Sequence, residues 1–89
     1  MLWNVQLSGP AQKALRKLPA KDAARIKAAL LSMEEDPFQG DIQRLNVRSP
    51  AGVTAWRRRV GSYRILYDLH FEARLILVAD IARRTSTTY

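Results

Sequence analysis

The chain opens on a strict alternation, with Trp3, Val5 and Leu7 set against Asn4 and Gln6, and this period of two predicts a short strand over 2–7. The period then lengthens. Ala11, Ala14, Leu15 and Leu18 recur at helical spacing while Lys13, Arg16 and Lys17 fall on other sides. Ser8 is placed to cap this helix and Pro10 fits its first turn, so a helix is expected from there to about Leu18, where Pro19 ends it. A second helix begins near Lys21 or Asp22 and carries Ala23, Ile26, Leu30 and Met33 on one face. It ends around Asp36, because Pro37 disfavours helical geometry at the residue before it. The two helices form a tight hairpin.

Residues 37–52 hold two of the four prolines and two of the four glycines and read as a loop with a short extended piece at Ile42 to Leu45. This is the candidate for a mobile segment. From Val53 the period returns to two. Strands are predicted over 53–60 and 63–70, joined by a Gly61-Ser62 hairpin turn, and over 74–81 after a turn at Phe71 to Ala73. Each element must bury its apolar side, which predicts an α+β fold: an N-terminal strand and a two-helix hairpin packed on one face of an antiparallel β-sheet. Residues 1–89 read as a single domain without repeats. The other sheet face is left free to work.

Side chains alternate along a strand, so in "WRRRVGSYRILYDL" (56–69) Arg57 and Arg59 project together, away from Trp56 and Val60. In the next strand Tyr63, Ile65, Tyr67 and Leu69 make an apolar stripe, leaving Arg64, Leu66 and Asp68 on the face away from the helices. Arg57, Arg59 and Arg64 therefore share one face across the hairpin. Like charges on neighbouring strands cost up to about 1 kcal/mol, and charged strand positions also serve to deter edge-to-edge association. Arg58 shares its parity with Trp56 and Val60. A bulge or an edge position would let it reach solvent.

Composition sharpens this picture. Fifteen Lys and Arg against eight Asp and Glu give a net charge of +7, carried by eleven arginines and four lysines. Such a surplus suits a polyanionic partner, and arginine grips phosphate with a planar fork. With no cysteine, disulfides and thiolate chemistry are excluded, and a reducing compartment is expected. The first residues lack the basic and apolar runs of a signal peptide, and no stretch approaches the roughly 20 apolar residues of a membrane span. A cytoplasmic protein without membrane association is expected. No His, Asp or Glu spacing suggests a metal site, so no metal or other cofactor is expected. His70, the sole histidine, sits near a turn and reads as a surface residue.

The hairpin "WRRRVGSYRILYDL", the closing stretch "LILVADIARRTSTTY" and the Leu-Pro break in "ALRKLPAKDAARI" together resemble the RelE/ParE superfamily of bacterial toxins. The resemblance covers nearly the whole chain. It implies a RelE-like toxin domain over 1–89 and a cognate antitoxin protein with which the toxin forms a hetero-oligomeric complex. In the RelE branch such toxins act at the ribosome as endoribonucleases on translated messenger RNA. Carried over by position, the catalytic set falls on Arg57, Arg59, Arg64, Arg84 and Tyr89, with Arg58 and Arg83 as further RNA contacts. Tyr89 is the chain's last residue, and its spacing from Arg84 varies among relatives.

RNA can be cut without metal when its own 2′-hydroxyl attacks the adjacent phosphate, and clustered guanidinium groups then stabilise the charge on the phosphorane. Arg64 and Arg84 suit that role, and Tyr89 suits stacking on a base. A general base is harder to find. Some relatives have lysine where this chain has Arg57 and Arg59, and arginine is a poor base. The base is therefore unidentified: either substrate positioning and electrostatics supply most of the rate, with the ribosome helping to position the RNA, or Tyr89 or His70 moves the proton. Two other readings stay open: a ParE-like inhibitor of DNA gyrase that binds without cutting RNA, and a nucleic-acid-binding domain without toxicity.

Overall fold

A computed structural model describes residues 2–83. Strand β1 (Asn4–Leu7) leads into helix α1 (Gly9–Lys17), and α2 (Ala20–Glu35) follows directly after Leu18 and Pro19. Ser8 caps α1 as its sequence predicts, its Oγ accepting from the Ala11 N–H at 3.2 Å. The same hydroxyl donates to the Ala79 carbonyl at 2.8 Å, tying the start of the helix to the last strand. Helix α2 stops before Pro37, with Asp36 as its C-cap.

The extended piece foreseen at Ile42 is a strand, β2 (Ile42–Arg44), followed by β3 (Val53–Val60), β4 (Tyr63–His70) and β5 (Leu75–Arg83). The five strands form one sheet in the order β1-β5-β4-β3-β2. The meander is antiparallel as expected, and β2 joins it antiparallel along β3. Strand β1 runs parallel to β5, so the sheet is mixed. Strands β3 and β4 keep the limits read from the sequence. Strand β5 begins one residue late because Arg74 belongs to the turn, with a positive φ of 52°, and its guanidinium lies 5.6 Å from the Trp3 ring.

Both helices cover one face. Tyr63, Ile65, Tyr67 and Leu69 of β4 pack with Ile76, Val78 and Ile81 of β5 against Ala11 of α1 and Ile26, Ala29, Leu30 and Met33 of α2. Burying each large side chain is worth about 1.5–3 kcal/mol. A one-residue slip of β4 would move the whole stripe to the other face, so this burial also fixes the register that aligns the arginines. The hairpin turn is fastened to α2 as well. Tyr63 donates its phenol hydrogen to Asp22 at 2.8 Å, and the Arg25 guanidinium lies over Gly61, whose φ of 58° strains any residue with a side chain. At the other end, Phe38 packs edge-on against Trp56, with centroids 5.5 Å apart, and stacks on Phe71, anchoring the segment after α2.

Candidate functional site

The face turned away from the helices follows from strand pairing, because directly opposed residues lie on the same side. Arg57 opposes Leu66, Arg59 opposes Arg64, and Ala55 opposes Asp68. On the other flank of β4, Ala82 opposes Arg64 and Asp80 opposes Leu66. Arg57, Arg59 and Arg64 thus share the open face, as their alternation predicts. Arg59 is exposed and Arg64 half-buried, and among the described residues no carboxylate lies within 4 Å of either. Two directly opposed guanidinium groups without a counter-charge repel each other until an anion lies between them. A phosphodiester strand crossing β3 and β4 satisfies both.

Arg57 is on the same face but is held differently. Its Nη2 donates to Gln43 Oε1 of β2 at 2.5 Å, and its Nη1 lies 3.7 Å from Asp41. With its side chain only 11% exposed, it is a fixed, partly neutralised charge beside the freer Arg59–Arg64 pair.

Arg58, expected from the resemblance as an RNA contact, takes the opposite side. No bulge re-aims it, and it opposes Ile65 on the helix-covered face. Its Nη1 donates to Ser32 Oγ at 3.0 Å and to the Ala29 carbonyl at 3.3 Å, so the guanidinium clamps α2 to the sheet. Simple alternation places it there, and the polar groups of α2 make that side habitable for a charge. Arg83 opposes Tyr63, so it has the helix-side parity rather than that of Arg59 and Arg64, and it is exposed. Arg84 and Tyr89 lie outside the described residues.

His70 lies on the open face opposite Val53 and Leu75, six residues from Arg64. At about 3.4 Å per residue this is roughly 20 Å along the strand, too far for proton transfer at the arginine pair. The described tyrosines serve the core. Tyr63 has its pKa raised, first by the hydrogen bond to Asp22 and then by burial. Burial pushes the Tyr67 phenol up to about 12, and its hydroxyl donates to the Pro37 carbonyl at 3.1 Å.

Asp80 is the residue that reading the sequence missed. Ile76 and Val78 face the core, so unbroken alternation would send Asp80 there too. Instead the register shifts: Tyr67 opposes Val78 while its neighbour Leu66 opposes Asp80, which makes Ala79 the extra residue of a β-bulge. The bulge turns Asp80 to the open face and returns Ile81 to the core, 5% exposed. The signal was present in the spacing of apolar residues, which changes from two (Ile76, Val78) to three (Val78, Ile81). Among the described residues, no cluster of three or more His, Cys, Asp or Glu is placed to hold a metal ion. None of the helices among those residues is long and apolar enough to cross a membrane.

No family model matches the chain. A protein of Methanocaldococcus jannaschii named as a RelE1 toxin is 26% identical over 87 residues, covering 94% of this chain and 92% of its own length. Among solved structures, the archaeal RelE-RelB complex from Pyrococcus horikoshii OT3 contains a chain that superposes with a TM-score of 0.84 at 22% identity, covering 98% of this chain and 100% of that one. The RelBE2 toxin-antitoxin complex of Mycobacterium tuberculosis matches with a TM-score of 0.75 at 22% identity, over 94% of this chain and 100% of its own. The isolated E. coli RelE toxin matches with a TM-score of 0.70 at 18% identity, over 97% and 88%. The fold is that of the RelE proteins, and the resemblance to the RelE/ParE superfamily holds in both sequence and structure.

Proposed function

We propose that this domain is the toxin of a toxin-antitoxin pair and that it cuts messenger RNA at the ribosome. The observation that carries the reading is the directly opposed Arg59–Arg64 pair on the open sheet face, left without a carboxylate partner among the described residues. That arrangement suits a phosphate whose negative charge grows in the transition state better than a protein surface bound without chemistry. The 2′-oxygen attacks the adjacent phosphorus, the bond to the 5′-oxygen breaks, and the products are a cyclic phosphate and a free 5′-hydroxyl. Arg64 stabilises the equatorial oxygens, Arg59 and the fixed Arg57 orient the strand, and Arg84 and Tyr89 complete the set that the resemblance implies. The ribosome holds the message extended in the geometry the reaction needs.

The names of the similar structures support an antitoxin partner, since two of them are toxin-antitoxin complexes. Leu31 is 64% exposed beside Leu30, and with Val5, Leu7 and Leu15 it lines an apolar groove between the helices and β1 where an amphipathic antitoxin segment fits. Brief induction in a bacterial host followed by primer extension on translated messages tests the function. Cuts confined to translated regions are expected, and Arg64→Ala should abolish them while unfolding cooperatively. Intact messages accompanied by DNA breaks would replace this reading with gyrase inhibition.

A further inference from the structure

The proposed cleavage needs a group to take the proton from the attacking 2′-hydroxyl, and the arginines of the site cannot do so. Among the described residues, three titratable side chains besides the arginines stand on the open face of the meander: Asp68, His70 and Asp80. Their distances from the arginine pair separate them. Asp68 is four residues from Arg64 along β4, roughly 13 Å, and His70 roughly 20 Å. Asp80 stands on the adjacent strand, two residues from Ala82, the partner of Arg64, and such diagonal neighbours lie about 7–8 Å apart. That spacing leaves room for one phosphate oxygen on Arg64 and the neighbouring 2′-hydroxyl on the carboxylate.

We propose that Asp80 is the general base of the site, an assignment that rests on the RNA-cleaving reading above. Asp80 reaches the working face only through the Ala79 bulge, and bulges next to active sites are a recurrent means of re-aiming one side chain. The bulge is pinned from outside the strand by Ser8, whose Oγ donates to the Ala79 carbonyl at 2.8 Å. The carboxylate itself is oriented, because Oδ1 accepts the Ile81 N–H at 2.8 Å and leaves Oδ2 for substrate. In the step, Oδ2 takes the 2′-hydroxyl proton as the 2′-oxygen bonds to phosphorus, and the bond from phosphorus to the 5′-oxygen breaks. The leaving oxygen then takes up a proton, and the base returns its own to water. No metal or redox partner enters the balance.

The test is single-turnover cleavage of ribosome-bound message by the full chain and its Asp80→Asn, Asp80→Glu and Asp68→Asn variants. Asparagine keeps the acceptor for the Ile81 N–H, so Asp80→Asn should fold as the parent does, which its unfolding curve checks. Its cleavage rate should fall by about 10²–10⁴-fold, the usual contribution of a general base, with its affinity for the programmed ribosome unchanged. Asp80→Glu should recover part of the rate and Asp68→Asn all of it. A message with sulfur in place of the leaving 5′-oxygen departs without protonation, so the deficit of Asp80→Asn should persist on it. Restoration of the rate there would make Asp80 the acid and overturn the assignment. Cleavage by Asp80→Asn within twofold of the parent would overturn it too, while leaving the RNA-cleaving reading standing. Absence of cleavage by the parent protein would instead overturn that reading, and the assignment with it.

Discussion

Replacing Arg58 with alanine separates a structural arginine from its neighbours on the open sheet face. The side chain is half-buried on the helix side of β3, and its Nη1 reaches Ser32 Oγ at 3.0 Å and the Ala29 carbonyl at 3.3 Å. Truncation orphans neither acceptor, since Ser32 Oγ still donates to the Ala29 carbonyl at 2.7 Å. The loss is therefore the net worth of one good charge-assisted hydrogen bond, about 1.5–3 kcal/mol, to which the long second bond adds little. The aliphatic stem adds lost packing, for a total of about 2–4 kcal/mol. In a domain of this size each kcal/mol moves the melting temperature by about 4–8 °C, so a drop of about 8–32 °C is expected. Thermal and urea unfolding followed by circular dichroism reads the stability, and filter binding well below the transition reads RNA affinity. Arg58→Ala should lose stability and keep the RNA affinity of the folded protein. Exposed Arg59 should show the reverse, with Arg59→Ala within about 0.5 kcal/mol of the parent but weakened for RNA. Unchanged stability together with lost RNA binding in Arg58→Ala would refute the clamp.

Ser8→Ala removes both the α1 cap and the tie to Ala79, so a loss of about 1–2 kcal/mol is expected in urea unfolding, with Ser8→Thr retaining most of it. Tyr67 ionises near 10 when unfolded and at about 12 in the fold, so the stability it contributes is complete below pH 10 and is lost as pH rises toward 12. Tyr67→Phe should therefore show a shallower alkaline loss of stability in that window, reduced rather than abolished because Tyr63 is raised as well. Association with the cognate antitoxin, measured by stopped flow, should slow as salt rises, because the +7 charge steers the encounter, while dissociation stays slow.

The order of elements was legible because each has a clean period and punctuation: Ser8, Pro19 and Pro37 bound the helices, and Gly61-Ser62 sets the hairpin. Alternation alone also placed Arg57, Arg59 and Arg64 together, since burial of Tyr63, Ile65, Tyr67 and Leu69 leaves β4 no other register. What stayed hidden depended on partners far away in the chain. Arg58 obeys its parity, but nothing local says that Ser32 and the Ala29 carbonyl wait across the core. Arg57 looks as free as Arg59 until β2 brings Gln43 and Asp41 alongside it. Asp80 was obscured because a bulge breaks the rule by which faces are read. The parallel pairing of β1 with β5 joins the two ends of the described chain, beyond the reach of any local pattern.

The most direct test of the central claim is to add purified protein to ribosomes carrying a defined message and to identify both the cut site and the chemical ends produced. Cleavage is expected at the codon in the decoding site, giving a 2′,3′-cyclic phosphate upstream and a 5′-hydroxyl downstream, with the same message off the ribosome left nearly intact. A message that stays whole on the ribosome, or is cut as readily without it, would contradict the account.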